Sequence, residues 1–366
     1  MQALILVGGE GTRLRPLTST VPKPVVPLVD RPFITYMLEW LHGHGVDDVV
    51  LSCGFLASGV RAVLGDGGGL GMRLRYLEEP RPLGTGGALK FAAAMLEDRF
   101  LMLNGDVLTD IDITAQIAQH ERTSARATLA LVPVADPSAY GLVRLAADRA
   151  VRGFVEKPSP DQIDTDLINA GAYVLERDVL DLLVPDAPAS IERDVFPQLV
   201  GDGLFGCPSD AYWLDIGTPD RYLQGTADIL ERRVATVAGG RLDADGLAIG
   251  EQVTGAEAVR GPSVIGDRCH IAPGARVGGL AVLGAGVEVG ADTSITRSVV
   301  LDGAVVGAGC TLESCIVGPR ARVGDGTRIG GDAVVGGDVS IGSHNVLDRG
   351  VRIFPGVNLP DAAIAF

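Results

Sequence analysis

Three glycines within four residues, two arginines and a proline-flanked lysine stand close together near the N-terminus: Gly8-Gly9-Glu10-Gly11-Thr12-Arg13-Leu14-Arg15, then Pro22-Lys23-Pro24. Successive N–H groups of a glycine turn can point into one concavity and hold an anion. Arg13 and Arg15 offer charge-assisted donors to phosphate oxygens, and Lys23 offers a compact ammonium in a loop stiffened by its prolines. Together they predict a phosphate cradle. It is not a Walker A loop, because Gly11 is followed by Thr12-Arg13 where Lys-Ser/Thr is required. It is not the dinucleotide fingerprint, because Leu14 stands where the last glycine belongs. A plain strand-to-helix turn with solvated arginines explains the glycines, but not three cations at these spacings.

Arginine outnumbers lysine 28 to 3, so the three lysines, Lys23, Lys90 and Lys157, are conspicuous. Lys23 and Lys157 both precede proline in loops, where a small hydrated ammonium is called for and a guanidinium would not serve. Lys90 follows a helix start and fits chance placement. Two acids complete the set. Asp106 closes the apolar run Phe100-Leu101-Met102-Leu103-Asn104-Gly105, and Asp215 follows Tyr212-Trp213-Leu214. A carboxylate beside a polyphosphate site calls for Mg²⁺, a hard cation that takes oxygen ligands and bridges phosphates. For either acid alone, a helix cap or turn residue is an even rival. Leu83-Gly84-Thr85-Gly86-Gly87 is a second glycine turn whose bare backbone could lie against a base or sugar; a flexible connection is the rival reading. Glu156-Lys157 ends a strand with an acceptor for sugar hydroxyls and a cation for a sugar phosphate, or else with an exposed charge pair. Asn169 adds an amide on a neighbouring strand.

The elements that position these residues alternate between strand and helix as far as about Arg232. Strands are predicted over Gln2–Val7, Asp48–Ser52, Arg73–Leu77, Phe100–Asn104, Ala127–Val132, Gly141–Leu145, Val151–Glu156 and Leu167–Leu175. Helices are predicted over Phe33–Leu41, Ala57–Leu64, Ala88–Leu96, Ile191–Val200 and Pro219–Arg232. The alternation means an α/β fold with a Rossmann-like, mixed, mostly parallel sheet, whose ligands bind at the carboxyl ends of its strands. Near Ala235 the pattern changes to a six-residue repeat. Val253, Val259, Ile265, Ile271, Val277, Leu283, Val289, Ile295 and Leu301 are spaced by six; Val306 and Leu312 follow one slip, and Val317 to Ile353 another. Glycine often follows the aliphatic residue and would permit a corner. This is the signature of a parallel β-helix of the left-handed, hexapeptide kind. The organisation predicted is a catalytic domain over 1–234, a linker over 235–252 and a repeat domain over 253–366.

The net charge of −15 argues against nucleic acid or an anionic membrane as partner. No apolar run is long enough for a membrane span, and the N-terminus enters a strand without signal-peptide features. Five cysteines with no C-x-x-C pair suggest free thiols in a reducing cytoplasm.

Taken together these stretches resemble the nucleotide-sugar pyrophosphorylases (sugar-1-phosphate nucleotidylyltransferases). The G-G-x-G-T-R-L-x-P-L-T…P-K-P signature is present in full, and the resemblance spans about Met1 to Arg232, with the repeat extending it to the C-terminus. Leu6–Thr18, Glu79-Pro80 with Leu83–Gly87, Asn104–Val107, Phe154–Pro158, Asn169-Ala170-Gly171 and Ser190–Pro197 look most like the members that transfer a guanylyl group to mannose 1-phosphate. The resemblance implies nucleotide contacts at Leu6, Gly8, Gly9, Gly11, Thr12, Arg13, Glu79, Gly84, Thr85 and Gly105. It implies sugar-phosphate contacts at Tyr140, Gly141, Glu156, Lys157 and Asn169. Arg13, Lys23 and Asp106 would be catalytic, with Asp106 and Asp215 holding Mg²⁺. The implied substrates are GTP and mannose 1-phosphate, in a homo-oligomer. Thymidylyl or uridylyl transfer to glucose 1-phosphate, a non-catalytic regulatory subunit, and an added acyltransferase activity in the repeat are the alternatives.

Overall fold

The computed structural model describes residues 1–54 and 56–365, which form two compact units. The first joins residues 1–10 to residues 34–213, and the second joins residues 11–33 to the chain from 214 onward.

In the first unit, β1 (Gln2–Val7) lies parallel to β2 (Asp48–Cys53) on one side and to β4 (Arg99–Asn104) on the other; β3 (Arg73–Glu78) continues the parallel set beyond β2. Leu4, Ile5, Val49, Val50, Leu51, Leu101 and Met102 are fully buried. Burial of both sheet faces is why these strands read as unbroken apolar runs. Beyond β4 the sheet turns antiparallel. β8 (Leu167–Glu176) runs against both β4 and β5 (Ala127–Pro133), while β6 (Gly141–Leu145) and β7 (Val151–Glu156) form an antiparallel pair at its edge. β9 (Leu204–Pro208) pairs parallel with β5 and has no counterpart in the sequence-based expectation.

Helices α1 (Phe33–Gly43) and α2 (Ala57–Leu64) stand where expected. Helix α3 (Gly84–Phe91) begins four residues before the predicted start, so the glycines form its first turn. Helix α4 (Ile113–Thr123) was not expected, and its packing explains why. Its buried face carries Gln116, Gln119 and His120 beside Ile113, so no apolar stripe marks it. Gln116 Nε2 donates to the Thr128 and Ala172 carbonyls at 3.0 and 3.1 Å, and Gln119 Nε2 to the Gly206 carbonyl at 2.7 Å. Asp112 caps its start by accepting from Ala115 N at 2.9 Å.

In the second unit the repeat forms, among the described residues, three parallel sheets of seven, six and five short strands, a left-handed parallel β-helix. The seven-stranded sheet opens with Leu247–Ile249, ahead of the predicted column; Leu247 lies six residues before Val253 and packs against the same core. The interior column departs from the predicted one at a single place. Val300, not Leu301, continues from Leu283 and leads to Val317, through the pairs Leu283↔Val300 and Val300↔Val317. Val299-Val300-Leu301 is aliphatic throughout, so spacing alone could not choose. The corners obey the same register: left-handed residues recur every six positions from Arg268 to Asp292, step five to Arg297, and step five again from Gly309 to Ser314. The glycines after the interior positions are therefore not the corner residues. A Cβ on Gly266 would lie 2.6 Å from Ala285 N, and one on Gly324 2.5 Å from Ser343 N. At most of these positions, though not at Gly330, neighbouring coils approach too closely for a side chain.

Helix α5 (Pro219–Leu230) also belongs to this unit, where Tyr222 Oη donates to the Pro27 carbonyl at 2.5 Å. Among the described residues no helix is long and apolar enough to cross a membrane, and the five cysteines are unpaired.

Candidate functional site

The residues singled out above fall into a group in each unit. In the first unit they gather at the carboxyl ends of β1 and its neighbours. Gly105 N donates to the Leu6 carbonyl at 2.9 Å, and a Cβ on Gly105 would meet that same oxygen at 2.7 Å. Glycine there lets the chain cross hard against β1 and deliver half-buried Asp106 at the strand end. Glu79 links its own loop to strand β2 and to the second glycine turn. Its Oε1 accepts from Ser52 Oγ at 2.9 Å, its Oε2 accepts from Leu83 N at 3.3 Å, and a Cβ on Gly8 would sit 3.1 Å from Oε1. This carboxylate thus ties β2 to the second glycine turn and lies close beside Gly8 of the first. Gly9 is exposed, with nothing within 4 Å of an added Cβ.

The second glycine turn has a packing role the sequence did not reveal. Cβ atoms on Gly84 and Gly87 would strike the Ala189 and Ala187 carbonyls at 2.5 and 2.7 Å, and Gly86 N donates to the Ala189 carbonyl at 2.9 Å. Thr85 Oγ1 donates to Glu192 Oε2 at 2.7 Å and accepts from Ile191 N at 2.9 Å. The π-helix Ile191–Val195, which with the helical turn Phe196–Leu199 stands where a helix over Ile191–Val200 is predicted, is therefore built into this part of the unit.

The sugar-phosphate candidates assemble on β6, β7 and β8. Glu156 is paired with Gly141 across the β6–β7 ladder, and a Cβ on Gly141 would lie 2.9 Å from Glu156 Oε2. Lys157 is exposed and left-handed at φ 52°, with its N–H donating to the Tyr140 carbonyl at 3.0 Å. A lysine held there costs about 1–2 kcal/mol, and such outliers gather at functional sites. Tyr140 meets Trp213 edge-on at 5.2 Å, and Trp213 Nε1 donates to the Ala170 carbonyl at 2.8 Å. Asn169 sits where the register of β8 against β5 shifts, a bulge that re-aims side chains. Its Nδ2 donates to Tyr173 Oη at 2.8 Å. Tyr173 Oη in turn donates to Glu192 Oε1 at 3.4 Å. Burial keeps this phenol protonated far above its ordinary range. Burial also raises the Glu156 carboxyl, helped by the charge of Glu192 and opposed by Lys157 and Arg193.

Glu192 and Tyr173 are the residues that sequence reasoning left without a role. Glu192 stood inside the quoted Ser190–Pro197 stretch, but nothing in the spacing says that its carboxylate meets Thr85, Ser190 and Tyr173. Lys90 is structural: its Nζ donates to the Leu180 carbonyl at 2.9 Å.

In the second unit Gly11 is left-handed at φ 61° and opens the turn Thr12–Leu14, which exposes Thr12 and Arg13. Thr18 Oγ1 donates to the Gly11 carbonyl at 2.7 Å, while Lys23 is buried at 9% exposure. A Cβ on Gly217 would lie 2.8 Å from Arg13 Nη2 and 3.1 Å from Asp215 Oδ2, so guanidinium and carboxylate flank one point. Among the described residues no three or more His, Cys, Asp or Glu side chains cluster to hold a metal. The candidate donors, Asp106 and Asp215, are carboxylates, which suit a hard cation completed by substrate phosphate oxygens.

Comparison with known proteins decides the family. The Nucleotidyl transferase family model matches residues 2–232. The chain belongs to the nucleotidyl transferase family. A second model, the GMPPB C-terminal domain, matches residues 259–363 of this nucleotidyl transferase. The mannose-1-phosphate guanylyltransferase of Mycobacterium tuberculosis is 42% identical over 100% of this chain and 98% of its own. The probable mannose-1-phosphate guanylyltransferase 1 of Oryza sativa subsp. japonica is 37% identical over 84% of this chain and 82% of its own. Among solved structures, HddC from Yersinia pseudotuberculosis complexed with GMP-PN is 30% identical at a TM-score of 0.53, covering 61% of this chain and 97% of that one.

Proposed function

We propose that the chain transfers a guanylyl group from GTP to mannose 1-phosphate, giving GDP-mannose and pyrophosphate. The observation that carries this is the 42% identity, over the whole chain, to the mycobacterial mannose-1-phosphate guanylyltransferase. A phosphate oxygen of the sugar phosphate attacks the α-phosphorus, and the bond to the β-phosphate oxygen breaks. The nucleophile is already ionised at neutral pH, so no side-chain base is required, and catalysis is alignment and charge neutralisation. In this reading the turn Gly8–Arg13 holds the triphosphate, and Lys23 stabilises charge on the α-phosphate. Gly84, Thr85 and the Glu79-tied loops seat the nucleoside, with Leu6 and Gly105 beside it. Lys157 binds the sugar phosphate, and Tyr140, Gly141, Glu156 and Asn169 orient the sugar. Asp106 and Asp215 would hold Mg²⁺, whose charge supports the phosphates when bound. We keep 1–234 as the catalytic domain, 235–252 as the linker and 253–366 as the repeat domain.

The test is a pyrophosphate-release screen of GTP, dTTP, UTP, ATP and CTP against a panel of sugar 1-phosphates. GTP with mannose 1-phosphate should give the highest kcat/KM. A pyrimidine that leaves one polar group of the base site unpaired should fall about tenfold or more behind. A dTTP or UTP pair with glucose 1-phosphate that outperformed it would overturn the guanylyl assignment while keeping nucleotidyl transfer.

A further inference from the structure

The turn Thr12–Leu14 belongs to the same compact unit as the C-terminal repeat, and a side chain of the repeat holds it. Arg352 lies in the last strand of the seven-stranded sheet, Arg352–Ile353. Its Nη1 donates to the Arg15 carbonyl at 3.0 Å, and its Nε donates to the Gly350 carbonyl at 3.2 Å. The guanidinium is thus fixed at one edge by a corner of its own coil and at the other by the turn. Arg15 ends that turn, with its own N–H donating to the Thr12 carbonyl at 3.2 Å. Between those two residues stands Arg13, whose Nη2 flanks Gly217 beside Asp215. The far end of the same segment is tied down as well. Tyr222 Oη donates to the Pro27 carbonyl at 2.5 Å, and Arg241 forms an ion pair with Asp30.

We infer that Arg352 is a positioning residue for the Thr12–Arg15 turn, so that the C-terminal repeat sets the aim of Arg13. A planar guanidinium bridging two carbonyls fixes direction as well as distance, which an ammonium on a flexible stem does not. The repeat is then part of the catalytic apparatus without touching substrate. This rests on Arg13 being a triphosphate residue, as proposed above.

Two measurements on the full-length chain test it. Hydrogen exchange of the free protein is read at a peptide spanning residues 11–19. Arg352→Ala should speed its exchange about threefold or more, as loss of a charge-assisted bond requires. Arg328→Ala, an exposed arginine on another coil, should leave it unchanged. In steady-state pyrophosphate release, Arg352→Ala should lower kcat/KM for the nucleotide about three- to tenfold and leave the KM for the sugar phosphate unchanged. Arg352→Lys should recover only part of the loss. Unchanged exchange at residues 11–19 in Arg352→Ala, or an equal effect of Arg328→Ala, overturns the inference even if the enzyme proves to use other substrates. A wild-type chain that releases no pyrophosphate from any nucleoside triphosphate overturns the proposed function instead, and the exchange result still decides the role of Arg352.

Discussion

Glu156 and Glu192 are half-buried near one another, and their like charges raise a question that catalysis must answer. Burial first, and then the charge of Glu192, push the Glu156 carboxyl above its ordinary range, with Lys157 and Arg193 pulling back. Only the ionised form of Glu156 is purely an acceptor for sugar hydroxyls. Lowering the pH through its raised pKa should therefore weaken sugar-phosphate binding at a higher pH than an ordinary glutamate would. Glu192→Gln removes one of the raising causes. The acid limb of kcat/KM for the sugar phosphate should then move to lower pH, while the contribution from the substrate's own phosphate, which titrates near pH 6, stays in place. An acid limb that does not move in Glu192→Gln would show that the two carboxylates are not coupled in this way. At this scale the sequence discloses residue types and not partners. Arg13, Lys23, Glu156 and Lys157 stand out in the sequence because each is a charged group in an unusual local setting. Glu192 was not, because its meaning lies in a hydroxyl 107 positions away, on Thr85.

Elements were legible where the local residue pattern marks them and illegible where distant polar contacts hold them. β1, β6 and β7 and helix α2 match their predicted ends. Helix α4 was missed because it docks through amides and an imidazole. His120 Nδ1 lies 2.9 Å from Thr128 Oγ1 and its Nε2 lies 3.1 Å from Glu176 Oε1, while burial holds its pKa below the ordinary value. In the repeat the period was plain, but the reason for its glycines was not. Seen as corner residues they would tolerate exchange wherever φ is negative; seen as contact residues they would not. Gly324 and Gly330 separate these views, since neither has a positive φ. A Cβ at Gly324 would meet Ser343 N at 2.5 Å, whereas at Gly330 its nearest contact is the Glu313 carbonyl at 3.2 Å. Gly324→Ala should destabilise by about 1–3 kcal/mol through overpacking of stacked backbones. Gly330→Ala should lose clearly less. Thermal unfolding of both variants checks the order, and equal Tm values would return the glycines to a purely conformational role.

At the scale of the whole molecule, pattern and contact are different criteria. Pattern divides the chain where the period of six begins. Contact joins residues 11–33 to the chain from 214 onward, because a loop's partners are invisible in its own composition. Three attachments within the second unit make the point concrete. Arg352 holds the Arg15 carbonyl, Arg241 pairs with Asp30, and α5 faces Leu280, Arg297, Ser314 and Asp332 of the repeat across a small cavity. A β-helix considered alone suggests a detachable module whose removal changes solubility or oligomer size and spares the chemistry. The attachments argue for more. A chain ending at residue 233 keeps Tyr222 and loses both arginines, so one end of the signature segment stays tied and the other is released. It also uncovers the face of α5 turned to the repeat across that cavity, where Ala227 is buried. Such a truncation should give a poor soluble yield. In its monomeric fraction, isolated by size-exclusion chromatography, turnover should fall further than in Arg352→Ala, because two ties are lost together. Nucleotide KM and turnover should both suffer, while a loss confined to solubility leaves each at its full-length value. Full-length kinetics in a folded, monomeric truncation would mean that the first 233 residues aim Arg13 without help, and that the repeat serves association alone.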